Sequence, residues 1–232
     1  MQTELEFRAG FSMVYRAGQR RARVATLLLG SVAFVTFLLL MHEIAGLGII
    51  EEARAGTLTQ ASARDYDNTG ALLGIGYALA YLVAAVGYLA WLSRTVDNVP
   101  VLGGGRPSVT PRWSIGWWFV PFANLVKPLL IVRDVHQRMA TAAQSGGAWI
   151  LIAWWVVWVG GNFIDTINLR LPEPQTLDEF SARFTASAVS DVITLVAVAL
   201  AILVIRRIQS RADERASTLT VEPAPAVAVA QP

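Results

Sequence analysis

His42 and Glu43 stand side by side like the opening pair of HExxH, in which two histidines a helical turn apart hold zinc and the glutamate activates its bound water. Position 46 is Gly46 and the other histidine of the chain is His136, so no zinc site is expected. Asp65, Asp67, Thr69 and Gly70 follow the spacing that opens a calcium loop, but Gly76 stands where the bidentate glutamate should close it. A solvated acidic loop is the better reading. No serine occupies a nucleophile elbow, no glycine-rich loop ends in a phosphate-binding lysine, and the absence of cysteine removes thiolate, disulfide and redox chemistry. No catalytic residue, metal ligand or cofactor is assigned, and the chain is expected not to be an enzyme.

An ionisable group inside an apolar run is costly unless it is paired or used. Asp191 is such a group, about one turn inside the run Ala188–Ile205. Asn162, Asp165 and His42 are expected at similar depth, which makes His42, Asn162, Asp165 and Asp191 a candidate polar cluster. Interfacial groups hydrated among headgroups are the simpler account of the same four residues. The run Val24–Met41 carries no carboxylate, which disfavours proton-coupled export.

The least ordinary stretch is Trp113–Val132, WSIGWWFVPFANLVKPLLIV. It is about as long as a membrane-spanning helix, yet Pro121, Asn124, Lys127 and Pro128 interrupt it. Trp113, Trp117 and Trp118 suit the boundary between lipid and water. Asn124 is expected to satisfy backbone freed by the two prolines, and Arg112, Lys127 and Arg133 to face anionic headgroups or a phosphate-bearing ligand. These nine residues are the candidate lipid- or partner-docking site. From Leu125 onward, Leu125, Leu129, Val132, Val135 and Met139 fall on one arc with Lys127, Asp134, Gln137 and Arg138 opposite, the pattern of a helix floating in the headgroup layer.

The elements that must carry these residues follow from hydropathy. The apolar share of 54% exceeds that of an ordinary soluble domain. Four runs, about 24–41, 71–92, 148–164 and 188–205, are long enough to span a bilayer, and Gly76, Ala80 and Ala84 give the second a small-residue packing face. With the N-terminus inside, fifteen of the 19 basic residues fall on inner segments, and only Arg54, Arg64, Arg170 and Arg183 lie outside. A fifth crossing at Trp113 would undo that bias. The expectation is an all-α polytopic membrane protein with four transmembrane helices and a Pro-broken interfacial or re-entrant helix, 113–139, between the second and third. Residues 1–23 form a cytoplasmic basic segment, 24–211 the membrane domain and 212–232 a disordered Pro/Ala-rich tail.

The run Arg112 to Pro128 resembles the signature of domain-of-unknown-function family 4328. Trp91-Leu92-Ser93-Arg94, Asn98, Arg133-Asp134, the group Trp154 to Trp158, Asn162 and Arg206-Arg207-Ile208-Gln209 resemble its flanking pattern, so the likeness covers roughly Val24 to Arg211. It departs at Leu129, where an aromatic residue is usual, and at His136, where Trp is expected. The resemblance implies a bacterial, mostly actinobacterial, multi-helix membrane protein and carries no activity with it. Arginine in place of lysine everywhere but Lys127 agrees with a bacterial source of high GC content.

The function expected is that of a membrane-embedded structural or regulatory module docking lipid or a protein partner on the cytoplasmic face, with a small transporter or channel as the alternative. Its partners are the bilayer, anionic headgroups, and a protein partner or second copy of the chain. A net charge of +2 gives no reason to expect nucleic acid. The location expected is the cell membrane, multi-pass, with both termini cytoplasmic.

Overall fold

The computed structural model describes residues 14–140 and 146–221, with the helical backbone alone for 219–221. It is 80% helix, with no strand among the described residues. In chain order the elements are α1 (Gln19–Arg54), α2 (Gln60–Asn98), α3 (Pro111–Gly116), a 3-10 turn (Ala123–Leu125), α4 (Lys127–Met139), α5 (Trp149–Asn168) and α6 (Leu177–Val221).

Four of these, α1, α2, α5 and α6, are long and apolar enough to cross a membrane. The shortest, α5, has 20 residues, about 30 Å at 1.5 Å per residue, which matches the hydrocarbon thickness. Only 11% to 33% of the most apolar window of each is buried by protein, leaving Leu27, Phe34, Leu72, Val86 and Phe163 exposed. The 13 residues of α4 reach only about 20 Å, too short for a fifth crossing.

Three of the four long helices, α1, α2 and α6, overrun their apolar runs at both ends and α5 does so at its C-terminal end, because hydropathy marks the lipid-compatible part of a helix and not its polar turns. The same effect corrects one expectation. Residues 212–221 continue α6 rather than beginning a disordered tail. Ala212 is buried, the Gln209 amide donates to Asp213 at 2.8 Å, and Arg215 donates to the carbonyls of Leu102 at 3.1 Å and Ala140 at 2.8 Å. Residues 222–232, like 1–13, lie outside the described residues.

The chain forms two compact units. The span unit comprises Arg21–Ala90 and Ala148–Ile205. Its core is Val32, Ala84 and Val198, one from each of three helices, with Leu28, Tyr77, Ala80 and Ile202 packed around them. The expected packing face on α2 is real: Ala84 is buried, and a Cβ on Gly76 would meet Val35 Cγ1 at 3.9 Å. At Gly87 and Gly161 a Cβ would stand 2.6 Å from Leu28 Cδ1 and 3.1 Å from Ile193 Cγ2, so glycine is what lets these helices approach. Trp154 and Trp155 fill the α5 side, with the Tyr88 and Trp154 rings 6.0 Å apart.

Of the described residues, the motif unit comprises 14–20, 91–140, 146–147 and 206–221. Its buried side chains include Trp91, Leu92 and Val96 from α2, Val99 just beyond it, Ile131, Val132, Val135 and Met139 from α4, and Ile208 and Ala212 from α6. The Trp91 indole N–H donates to Gln209 Oε1 at 3.2 Å, and Asn98 donates to the Arg16 carbonyl at 2.9 Å.

Candidate functional site

The Trp-rich segment starts at a conventional helix end. Thr110 is the N-cap of α3, its hydroxyl accepting from the Trp113 N–H at 3.5 Å, and Pro111 follows where a missing N–H costs nothing. The Ser93 and Ser114 hydroxyls both donate to the Pro111 carbonyl, at 3.1 and 2.7 Å. Beyond Gly116 the chain turns repeatedly. Ala123 N–H donates to the Pro121 carbonyl at 2.7 Å, which makes Pro121-Phe122-Ala123 a γ-turn with Phe122 at φ 61 and ψ −39. This is the rare, positive-φ hand of that turn, and a non-glycine residue held there stores roughly 1–3 kcal/mol.

The breaks left by Pro121 and Pro128 are closed by backbone. Asn124 N–H donates to Val120 at 3.0 Å, Leu125 to Phe122 at 3.2 Å, Val126 to Ala123 at 3.1 Å and Leu130 to Val126 at 3.2 Å. The Asn124 side chain, expected to do this work, makes no hydrogen bond among the described residues.

What the segment exposes differs from what its helical projection suggests. The arc of α4 expected to meet lipid is covered by protein: Val132, Val135 and Met139 are buried together with Ile131 and His136. Amphipathicity reports that a helix has an apolar side, not what covers it. Apart from Leu130 on α4, the exposed apolar residues of the segment lie upstream, at Trp113, Phe119 (73% exposed), Phe122 (86%), Leu125 and Val126. Trp113 and Trp117 lie 5.3 Å apart between ring centroids, and Lys127 Nζ stands 5.2 Å over the Trp117 ring, a cation–π contact. Trp118 is half-buried. Arg112, Lys127 and Arg133 are exposed and make no ion pair among the described residues.

Sequence reasoning missed the other side of α4. Arg207, Arg211 and Arg215 recur every four residues on α6, which places them on one face. Arg207 donates to the Gly146 carbonyl at 2.9 Å, and Arg211 to the His136 carbonyl at 2.8 Å and the Gly146 carbonyl at 3.0 Å. Arg215 continues the series at Leu102 and Ala140. The negative end of the α4 dipole and its orphan carbonyls thus receive fixed cations. His136 is 3% exposed, and neither ring nitrogen has a hydrogen-bond partner among the described residues. Burial, followed by the nearby Arg211 and Arg207 charges, pushes the imidazole down to about 4, so it is neutral at physiological pH. The i, i+4, i+8 spacing of the arginines is the signal the sequence offers for this face.

The candidate polar cluster comes together in part within the span unit. The Ser190 hydroxyl donates to the Asp165 carboxylate, and Asp191 lies within electrostatic range of Asp165 and Glu43. His42 stacks on Tyr66 at 3.9 Å, the Tyr66 hydroxyl donates to the His42 carbonyl at 3.2 Å, and Phe184 meets Tyr66 edge-on. Asn162 stays apart, donating to the Trp158 carbonyl of its own helix at 2.7 Å.

Residues 54–210 match the family described as "Domain of unknown function (DUF4328)". The match takes in α2, the whole Trp-rich segment, α4, α5 and the apolar run of α6, and leaves out all but the last residue of α1. No curated protein and no solved structure matches the chain.

Proposed function

The chain belongs to the DUF4328 family, and we propose on that premise that it is a non-catalytic module of the bacterial cell membrane, with both termini cytoplasmic, that docks lipid or a protein partner through its Trp-rich segment. The placement of fifteen of the 19 basic residues on the segments assigned to the inside supports the orientation. The single observation that carries the docking role is the exposed apolar tip at Phe119 and Phe122, flanked along the chain by the exposed cations Arg112, Lys127 and Arg133. Soluble surfaces rarely leave such a patch uncovered without a use for it.

The test is crosslinking and mass spectrometry on tagged protein from native membranes, with co-extracted lipids identified. Reproducible adducts, lipid or protein, mapping to residues 113–139 are expected. Their absence, together with a retained small molecule near Asp191, would favour the second reading, a small transporter or channel. The observation favouring that alternative is the gathering of Asp165, Ser190 and Asp191 inside the span unit.

A further inference from the structure

We propose that the tip Phe119 to Val126 is a shallow wedge in the hydrocarbon edge of an anionic phospholipid leaflet, with Arg112, Lys127 and Arg133 at phosphate depth. The inference rests on the docking reading above and names its occupant.

Charge complementarity singles out that occupant. No acidic residue occurs between Asp97 and Asp134, while Arg106, Arg112, Lys127 and Arg133 all lie there. Asp134 itself is engaged, by Arg138 at 2.7 Å and by the Ser108 N–H at 2.8 Å. A protein surface presents both signs, whereas an apolar tip whose flanking segments carry only cations complements a surface that is anionic above and apolar beneath.

The tip is also built to enter that layer. Its γ-turn holds Phe122 outward although the backbone there is strained, so the exposed ring is not a relaxed default. Pro121 has no N–H to desolvate, and the N–H groups of Phe119, Ala123, Asn124, Leu125 and Val126 are bonded within the tip or the end of α3. The cation–π pair of Lys127 and Trp117 places a charge beside a ring suited to the lipid boundary. Closing Ile131, Val132, Val135 and Met139 of α4 against protein leaves the tip, with Leu130 at the start of the helix, as the apolar surface open to lipid.

The absence of cysteine makes site-directed spin labelling direct. Nitroxides at F119C and F122C, with Q137C as an aqueous control, would be read in nanodiscs of phosphatidylcholine with and without phosphatidylglycerol. Oxygen, which concentrates in hydrocarbon, should relax the labels at 119 and 122 more than a water-soluble nickel chelate does, with the reverse at 137. Adding R112Q and R133Q should make both labels shallower in discs containing phosphatidylglycerol and leave their depth in phosphatidylcholine alone unchanged. A chelate-accessible label at both 119 and 122 in discs overturns the wedge. If the same labels become immobile and shielded from both reagents in native membrane vesicles, a protein covers the patch and the docking reading survives without the lipid inference. If they stay water-exposed there too, both fall.

Discussion

Acid should loosen the motif unit through His136. The imidazole's ordinary value is 6.5 and the folded protein holds it at about 4. A lowered value means that the unfolded chain takes up the proton first. The contribution is therefore fully present above pH 6.5 and is lost as the pH falls towards 4. At pH 5 the unfolded imidazole is almost wholly protonated and the folded one only about a tenth so, a loss of about 2 kcal/mol that approaches about 3 kcal/mol below pH 4. His136 is 3% exposed, so solvent screening takes little of this away. For a chain of this size, 2 kcal/mol lowers the melting temperature by roughly 4–8 °C. The assay is thermal melting of the detergent-solubilised protein at a series of pH values, followed by Trp fluorescence, beside His136→Phe. The wild type should lose stability between pH 6.5 and 5 by this amount more than the variant does. Parallel pH profiles for the two proteins would refute the reasoning.

Arg211→Gln removes the donors to two carbonyls at a buried position and should cost roughly 1–3 kcal/mol in the same melts. Because Arg211 is the foremost charge acting on His136, this variant should also lose less stability on acidification than the wild type, and an unchanged acid loss would count against that coupling. Ala84→Leu forces a larger side chain between Val32 and Val198 and should cost about 1–3 kcal/mol, read as a lower melting temperature with an unchanged lipid preference. An undiminished melting temperature would mean that the three-helix core is looser than its burial implies.

The four helices able to span are legible in the sequence because a nearly uncharged apolar run of that length has few other uses. The small-residue face at Gly76, Ala80 and Ala84 is legible for a related reason, since few features besides close helix packing favour small side chains at that spacing. Pro121 and Pro128 announce a broken segment, but not how it is repaired. The repair is a γ-turn and short backbone bonds rather than the Asn124 amide. Periodicity found the apolar arc of α4 and not its destination, because lipid and a protein core ask for the same residues. In the sequence the arginines of α6 signal only a charge bias, because their bonds to the carbonyls of Leu102, His136, Ala140 and Gly146 depend on residues some 60 to 110 positions away. Asp191 lies within electrostatic range of Asp165, whereas Asn162 donates one turn back on its own helix.

The arginine series on α6 also has a meaning in time. Arg207, Arg211 and Arg215 are made after α2, α4 and α5 have left the ribosome, yet the carbonyls they hold lie at 102, 136, 140 and 146. Until α6 is synthesised, those carbonyls have no guanidinium to bond. The charges that would favour retention of the last helix end on one side are the same ones that then latch the earlier segments. Biosynthetic order and folded cohesion are written into one set of side chains, and completion of the motif unit waits for the last helix.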